Sequence, residues 1–229
     1  MTSFIRRFLY YLTGFGIGII LVVFFFQNRG CSWTPTNRAK AMVGERIIVA
    51  DSAFLQGLKE RHISVERVKQ LLKDGEINFS ESQKRDNPKA YVFYDKQLKM
   101  IFTLPKNCFV SQAMLGFGEK KEINNPTSGM ADLWIFPKDE KLIYVDSLTN
   151  ISEEYAKLGK PDRTEILNAL KKDGKIDFGK SNLEKKPRPE QYLICTIDGQ
   201  LIGIRAYWYK DKLNIFAIES INSVSNEEK

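Results

Sequence analysis

The chain is poor in the residues that most often carry chemistry. Among its 229 residues there is one histidine, His62, and there are three cysteines. A Ser-His-Asp triad or an imidazole metal site would have to be built around that single ring. Three scattered cysteines with no CxxC pair are too few for a disulfide scaffold or a structural zinc site. No motif of strong catalytic or cofactor chemistry is present, so no cofactor and no metal is expected. The compositional bias of a disordered chain is missing too. Hydrophobic residues make up 43% and charged residues 28%, which leaves enough apolar side chains for a core. The length allows one large domain or two small ones.

What is there begins with charge. The formal net charge is +7, a balance that suits an anionic neighbour such as lipid headgroups, nucleic acid or an acidic protein. The lysines are scattered, however, and many sit beside acids, as in Glu119-Lys120-Lys121-Glu122. That pattern reads as ordinary solvated surface and makes nucleic acid an unlikely partner.

Phe8 to Phe26 contains no charge at all. As a helix this run is about 28 Å long, close to the hydrocarbon thickness of a bilayer. Arg6 and Arg7 precede it, and Tyr10, Tyr11 and Trp33 suit the interfacial zones. It is longer than the apolar core of a cleavable signal peptide, and Phe-Phe-Phe-Gln-Asn-Arg offers no small-x-small cleavage site. The reading is an uncleaved, single-pass anchor in the inner (cytoplasmic) membrane. Positive charge is nearly balanced across it. The charges packed against the short N-terminal tail favour a cytoplasmic tail, which sets the soluble part on the periplasmic side. Gly14 and Gly18 form a GxxxG on one helix face, where a second transmembrane helix can approach closely.

The rest of the chain repeats itself. Glu45–Ser52 matches Glu140–Ser147, and Leu71–Ser82 matches Leu170–Ser181, in the same order. Each unit reads as a short apolar strand, then an Asp-Ser pair (Asp51/Ser52, Asp146/Ser147) that caps a first helix. A second helix follows, Val65–Lys73 or Arg163–Lys172. Asp-Gly ends both second helices, with Asp74-Gly75 and Asp173-Gly174 read as C-terminal caps in which glycine takes the left-handed conformation. Ile77 and Phe79, and likewise Ile176 and Phe178, then alternate inward as strands begin. Antiparallel strands continue each sheet, with Asp198-Gly199 as a hairpin turn and Lys106-Asn107 and Lys210-Asp211 at equivalent later turns.

The expected fold is α+β: an N-terminal transmembrane helix and two tandem β-α-α-β-meander modules, helices packed on an antiparallel sheet. The expected boundaries are 1–30 for tail and helix, 31–44 linker, 45–117 module one, 118–139 linker, 140–222 module two and 223–229 tail. Leu133–Phe136 in the second linker is a candidate extra strand.

Arg61-His62-Ile63-Ser64-Val65-Glu66-Arg67-Val68, followed by Leu72 and Gly75, resembles a family of small domains of unknown function. Some members look like toxin-type ribonucleases, with helices on an antiparallel sheet. A membrane-anchored branch is similar at the start as well: a Gly-containing helix, Cys31, then Pro35-Thr36-Asn37-Arg38. Module two keeps only the Glu165–Gly174 part. The family opens its first helix with a histidine, whereas this chain has Asp51–Phe54 in that neighbourhood. The resemblance implies a ribonuclease-like alternative centred on Arg61 and His62, where a general base and an anion-stabilising cation would stand together. His62 also reads as an ordinary turn residue, since Pro161 occupies the matching place in module two.

Two further features are weighed against core packing. Tyr207-Trp208-Tyr209 and Tyr91–Tyr94 are expected to set aromatics on adjacent strands. Alternation sends about half of them inward, and exposed members, Tyr207 and Tyr209, mark a protein interface. Cys108 and Cys195 are expected in non-equivalent strands, either as buried thiols acting as small apolar residues or, outside the inner membrane, as a bridge linking the two modules. Cys31 could cross-link two subunits in an oxidising compartment. The reading that absorbs most of this is a non-enzymatic, membrane-anchored interaction or accessory subunit of an inner-membrane assembly. Its expected partners are the lipid bilayer and membrane proteins, or a second copy through the helix. The alternatives are the ribonuclease-like enzyme and a basic module for lipid headgroups or nucleic acid.

Overall fold

The computed structural model describes residues 3–27, 34–85, 88–116, 129–137, 142–156, 162–209 and 212–221. Cys31, Trp33, Pro161, the Lys210-Asp211 turn, residues 120–128 and the 223–229 tail lie outside the described residues. The chain divides into two units, residues 1–39 and 40–229.

The first unit is dominated by α1 (Ser3–Gln27). Within it Phe4–Phe24, 21 residues of mean hydropathy 1.8, is long and apolar enough to cross a membrane, and none of it is buried. Thr13 Oγ1 donates to the Leu9 carbonyl at 2.8 Å, so this hydroxyl is satisfied by its own helix. A second helix, α2 (Pro35–Gly44), starts behind Thr34, whose Oγ1 accepts from the Asn37 N–H at 3.3 Å. Pro35 loses nothing at this position, because the first N–H groups of a helix have no partner inside it.

In the second unit, β1 (Ile47–Ala50) is buried throughout. The Asp51 carboxylate accepts from the Phe54 N–H at 2.7 Å and caps α3 (Ser52–Glu60), as expected. Ser64 caps α4 (Val65–Asp74), which buries Val68 and Leu71. Lys40 Nζ donates to the Lys73 carbonyl at 2.9 Å and serves one of the orphan carbonyls at the end of α4. Four strands follow: β2 (Glu76–Gln83), β3 (Lys89–Tyr94), β4 (Lys99–Leu104) and β5 (Val110–Leu115). Then come β6 (Met130–Ile135), β7 (Ile143–Ile151), the short α5 (Glu153–Ala156) and α6 (Arg163–Asp173). The last four strands are β8 (Lys175–Asn182), β9 (Glu190–Ile197), β10 (Gln200–Tyr209) and β11 (Lys212–Ser220). Asp198 and Gly199 both take positive φ, 49° and 78°, the conformation of the expected tight hairpin turn.

The eleven strands among the described residues form one sheet, in the order β2-β3-β4-β5-β1-β6-β8-β9-β10-β11-β7. This corrects the expectation of purely antiparallel sheets. The strand that precedes the helices runs parallel to the last strand of the meander in each half, β1 with β5 and β7 with β11. The helices carry the chain across to the far side of the meander, and the meander then returns beside its starting strand. The linker strand β6, longer than the sequence segment proposed for it, pairs antiparallel with both β1 and β8 and closes the gap between the halves.

Both halves carry the same irregularity at the same place. Ser82 Oγ donates to the Asn78 carbonyl (2.6 Å) and accepts from the Val92 N–H (3.0 Å). Ser181 Oγ donates to the Asp177 carbonyl (2.6 Å) and accepts from the Tyr192 N–H (3.0 Å). A bulge thus interrupts β2–β3 and β8–β9 alike, and a serine fills the broken ladder.

Two local expectations fail. Asp146 and Ser147 do not cap a helix; β7 continues to Ile151. The Asp146 carboxylate accepts from the Leu148 N–H at 3.1 Å, and Thr149 Oγ1 donates to the Asp146 and Ile215 carbonyls. The polar side chains are spent on a bulge inside the strand. The second failure concerns Gly75 and Gly174, which are not left-handed: their φ values are −59° and −62°. Glycine is required there by space. Each helix turns directly into a strand, and a Cβ at Gly75 would lie 2.5 Å from the Leu71 carbonyl oxygen. A Cβ at Gly174 would collide with the Leu170 carbonyl in the same way.

One large core joins Ile47, Val49 and Val110 to Leu133, to Ile166 and Leu170 of α6, and to the inward residues of β8–β11. On the other face of β6, the Trp134 ring meets Phe54 of α3 edge-on at 5.5 Å. Helices of the two halves therefore cover opposite faces of the sheet. The face of β9–β11 turned away from α6 is where the charged groups gather.

Candidate functional site

Alternation fixes which side chains share that face. In β9, Leu193, Cys195 and Ile197 enter the core, so Glu190 and Tyr192 stand on the other side. In β10, Ile202, Ile204 and Ala206 point inward, which leaves Gly203, Arg205 and Tyr207 outward. The register places Arg205 opposite Tyr192, and Gly203 opposite Glu219 of β11.

Glu190 is the centre of the group. Its side chain is only 8% exposed and receives Lys185 Nζ and Arg205 Nη1, both at 2.5 Å. Burial opposes its charged form, but the hydrogen bonds from Lys185 and Arg205 prevail and hold the carboxyl below the ordinary range. The same bond to Glu190 raises the already high pKa of Arg205. Arg205 also approaches Glu219 at 3.5 Å and lies over the Tyr192 ring, 5.1 Å from its centroid. Lys180 sits 5.1 Å from the same ring. Burial, and then the hydrogen bond to Glu219, push the Tyr192 hydroxyl up. The Tyr192 hydroxyl passes so close to Gly203 that no Cβ fits there. Nothing in this network has a free nucleophile or an open acid–base pair. The network ties four strands together, β8 to β11.

Tyr207 continues the face. Arg188 donates to its hydroxyl and stacks 4.5 Å from its ring centroid, while Phe216 packs at 6.0 Å. Tyr209, at the end of β10, is 56% exposed. Trp208 between them turns inward and stacks on Phe109. Of the three aromatics read from the sequence, one is core, one is held under an arginine and one is open. Tyr91–Tyr94 lies in β3, which neighbours β2 and β4, so the two aromatic groups are not on adjacent strands.

Arg61 and His62 are both exposed, in the turn between α3 and α4. His62 takes φ 53°, and its N–H bonds the Lys59 carbonyl at 3.1 Å. A small cavity of roughly 170 Å³ lies against Asp51, Ala53, Phe54, Met114 and Leu115. Among the described residues, no group of three His, Cys, Asp or Glu side chains could hold a metal ion. Gly14 and Gly18 lie on the exposed α1, with nothing within 4 Å of where their Cβ atoms would stand. Cys108 and Cys195 are free, buried thiols of the large core, and burial pushes them up to about 11 and about 12. Cys108 lies just before β5 rather than within a strand.

The Glu190 network escapes sequence reasoning because an acid flanked by basic residues reads as surface. The signal was the period of two: Glu190-x-Tyr192 and Arg205-x-Tyr207 each place a charge and a ring on one side of a strand. Only the register brings the four together. No family model matches the chain, and neither a curated protein nor a solved structure does.

Proposed function

We propose that this chain is a single-pass, membrane-anchored interaction subunit without catalytic activity, built by duplication of one β-α-α-β-meander unit. The observation that carries the anchor is α1: Phe4–Phe24 offers 21 residues to its surroundings with none of them buried. A helix so apolar and so bare has lipid as its natural solvent. The inner membrane is its place, with residues 40–229 on the periplasmic side. A C-terminal alkaline phosphatase fusion will be active and a C-terminal green fluorescent protein fusion dark; the reverse result places the sheet in the cytoplasm.

Duplication is supported by the matching strand orders, the parallel closing pair of each half and the paired serine-filled bulges. Two linked copies give a partner two places to hold, which raises effective concentration. The interaction reading is supported by the closed character of the Glu190 network, whose carboxylate is held by both Lys185 and Arg205. The ribonuclease-like alternative would need Arg61 and His62 to act from an exposed turn. The test is mild-detergent extraction of the intact chain followed by native mass measurement. A stoichiometric membrane complex supports the reading. A chain that always emerges alone, or phosphodiester cleavage lost in His62→Ala, overturns it.

A further inference from the structure

We infer that the outer edge of β7 is a docking edge for an extended strand of a partner protein, added antiparallel to β7; this rests on the reading of the chain as an interaction subunit. The argument starts from hydrogen-bond phase. Ile47 donates its N–H to Phe109, so Ile48 and Ala50 turn their backbone groups the other way. That outward edge is taken by β6, with Ile48 opposite Ile135 and Ala50 opposite Asp132. In the second half the Leu142 carbonyl accepts from the Leu213 N–H at 2.8 Å, so Ile143 and Val145 turn outward. The repeat aligns Ile48 with Ile143 and Ala50 with Val145. The two edges are therefore the same edge in the same phase. One carries an antiparallel strand. On the other, β7 ends the sheet, and no strand among the described residues pairs with it.

An unpaired edge of this kind templates strand addition unless it is blunted. β7 carries no proline or lysine, and the stretch ahead of its Asp146 bulge, residues 143–145, bears Tyr144, 47% exposed. The occupant is a foreign strand rather than a second β7. Two copies of β7 paired about a two-fold centred near Asp146 would set bulge against bulge and carboxylate against carboxylate, and like charges directly opposite destabilise a ladder. A straight strand with apolar residues at alternate positions meets neither obstacle. β6 is the chain's own example: it sends Ala131 and Leu133 into the core and Trp134 across to Phe54.

The probe is a synthetic peptide of the β6 sequence, residues 129–136, added to the intact chain in detergent micelles while backbone hydrogen exchange is followed. The expected result is saturable protection confined to residues 143–145. N-methylation of the peptide at alternate residues is expected to weaken binding at least tenfold in one phase and leave it unchanged in the other. Val145→Pro, which removes an outward N–H, is expected to abolish the protection. Protection only at residues 47–50, protection of β7 that rises with protein concentration without peptide, or weakening without a period of two overturns the inference. Such a failure is distinct from that of the interaction reading, because the intact complex is weighed without any peptide.

Discussion

At the scale of single residues, the chain uses glycine and glutamate in ways their neighbours dictate. Gly75 has an ordinary backbone conformation, so it is the nearness of the Leu71 carbonyl and side chain that forbids a Cβ. Gly75→Ala is expected to cost about 1–3 kcal/mol as overpacking, and a thermal melt of the full chain in detergent measures it. Gly199 is the opposite case: φ is 78° and its surroundings are empty. Gly199→Ala is expected to cost about 1–2 kcal/mol from backbone strain alone, and Gly199→Asn less, because asparagine tolerates that conformation. If Asn is as costly as Ala there, the strain argument fails. Glu190 carries a pH dependence whose sign follows from its lowered pKa. Above the ordinary carboxylate range it is ionised in both the folded and unfolded chains, and its full stabilisation is present. As pH falls through the ordinary value and then the lowered one, the unfolded chain takes up the proton first and that stabilisation is lost. Glu190→Gln is expected to flatten this loss in melts between neutral and acid pH. Glu190→Ala is expected to cost about 2 kcal/mol at neutral pH, the scale of hydrogen bonds to a charged group. An unchanged acid limb in Glu190→Gln would assign that limb to other carboxylates.

At the scale of elements, much was legible because the signals are local. Asp51 caps its helix where the sequence places the cap, and the alternation of Ile176 and Phe178 marks a strand that is buried as expected. The misses come from elements whose fate is decided by partners distant in sequence. Asp146-Ser147 looks like the cap at Asp51-Ser52, but Thr149 finds the Ile215 carbonyl in β11 and the strand continues. β6 overlaps the candidate strand at Leu133–Phe136, but nothing local says that it will stitch β1 to β8. Its role gives an element-scale prediction. Leu133 is 5% exposed in a core shared by both halves. Leu133→Ala is expected to cost about 2–5 kcal/mol and to lower hydrogen-exchange protection in β1 and β8 together. Loss confined to one half would show that the halves do not share their core energetically.

At the scale of the whole molecule, the sequence reveals the repeated pattern and the apolar N-terminal run but not the single sheet that spans both halves. A repeated sequence pattern gives grounds to expect two stretches that fold alike. It does not show that their edges meet, nor that their helices take opposite faces, because that depends on β6 and its register. The candidate surface groups were legible only in part: Tyr209 is open, while Tyr207 lies under Arg188. The central claim is the proposal that α1, whose Phe4–Phe24 stretch is long and apolar enough to cross a membrane, lies in lipid. Alkaline carbonate extraction of native membranes, followed by the intact mass of the protein in each fraction, tests it most directly. The account predicts a chain that stays in the membrane pellet at a mass that includes residues 1–27. A soluble protein shortened by removal of that segment would contradict it.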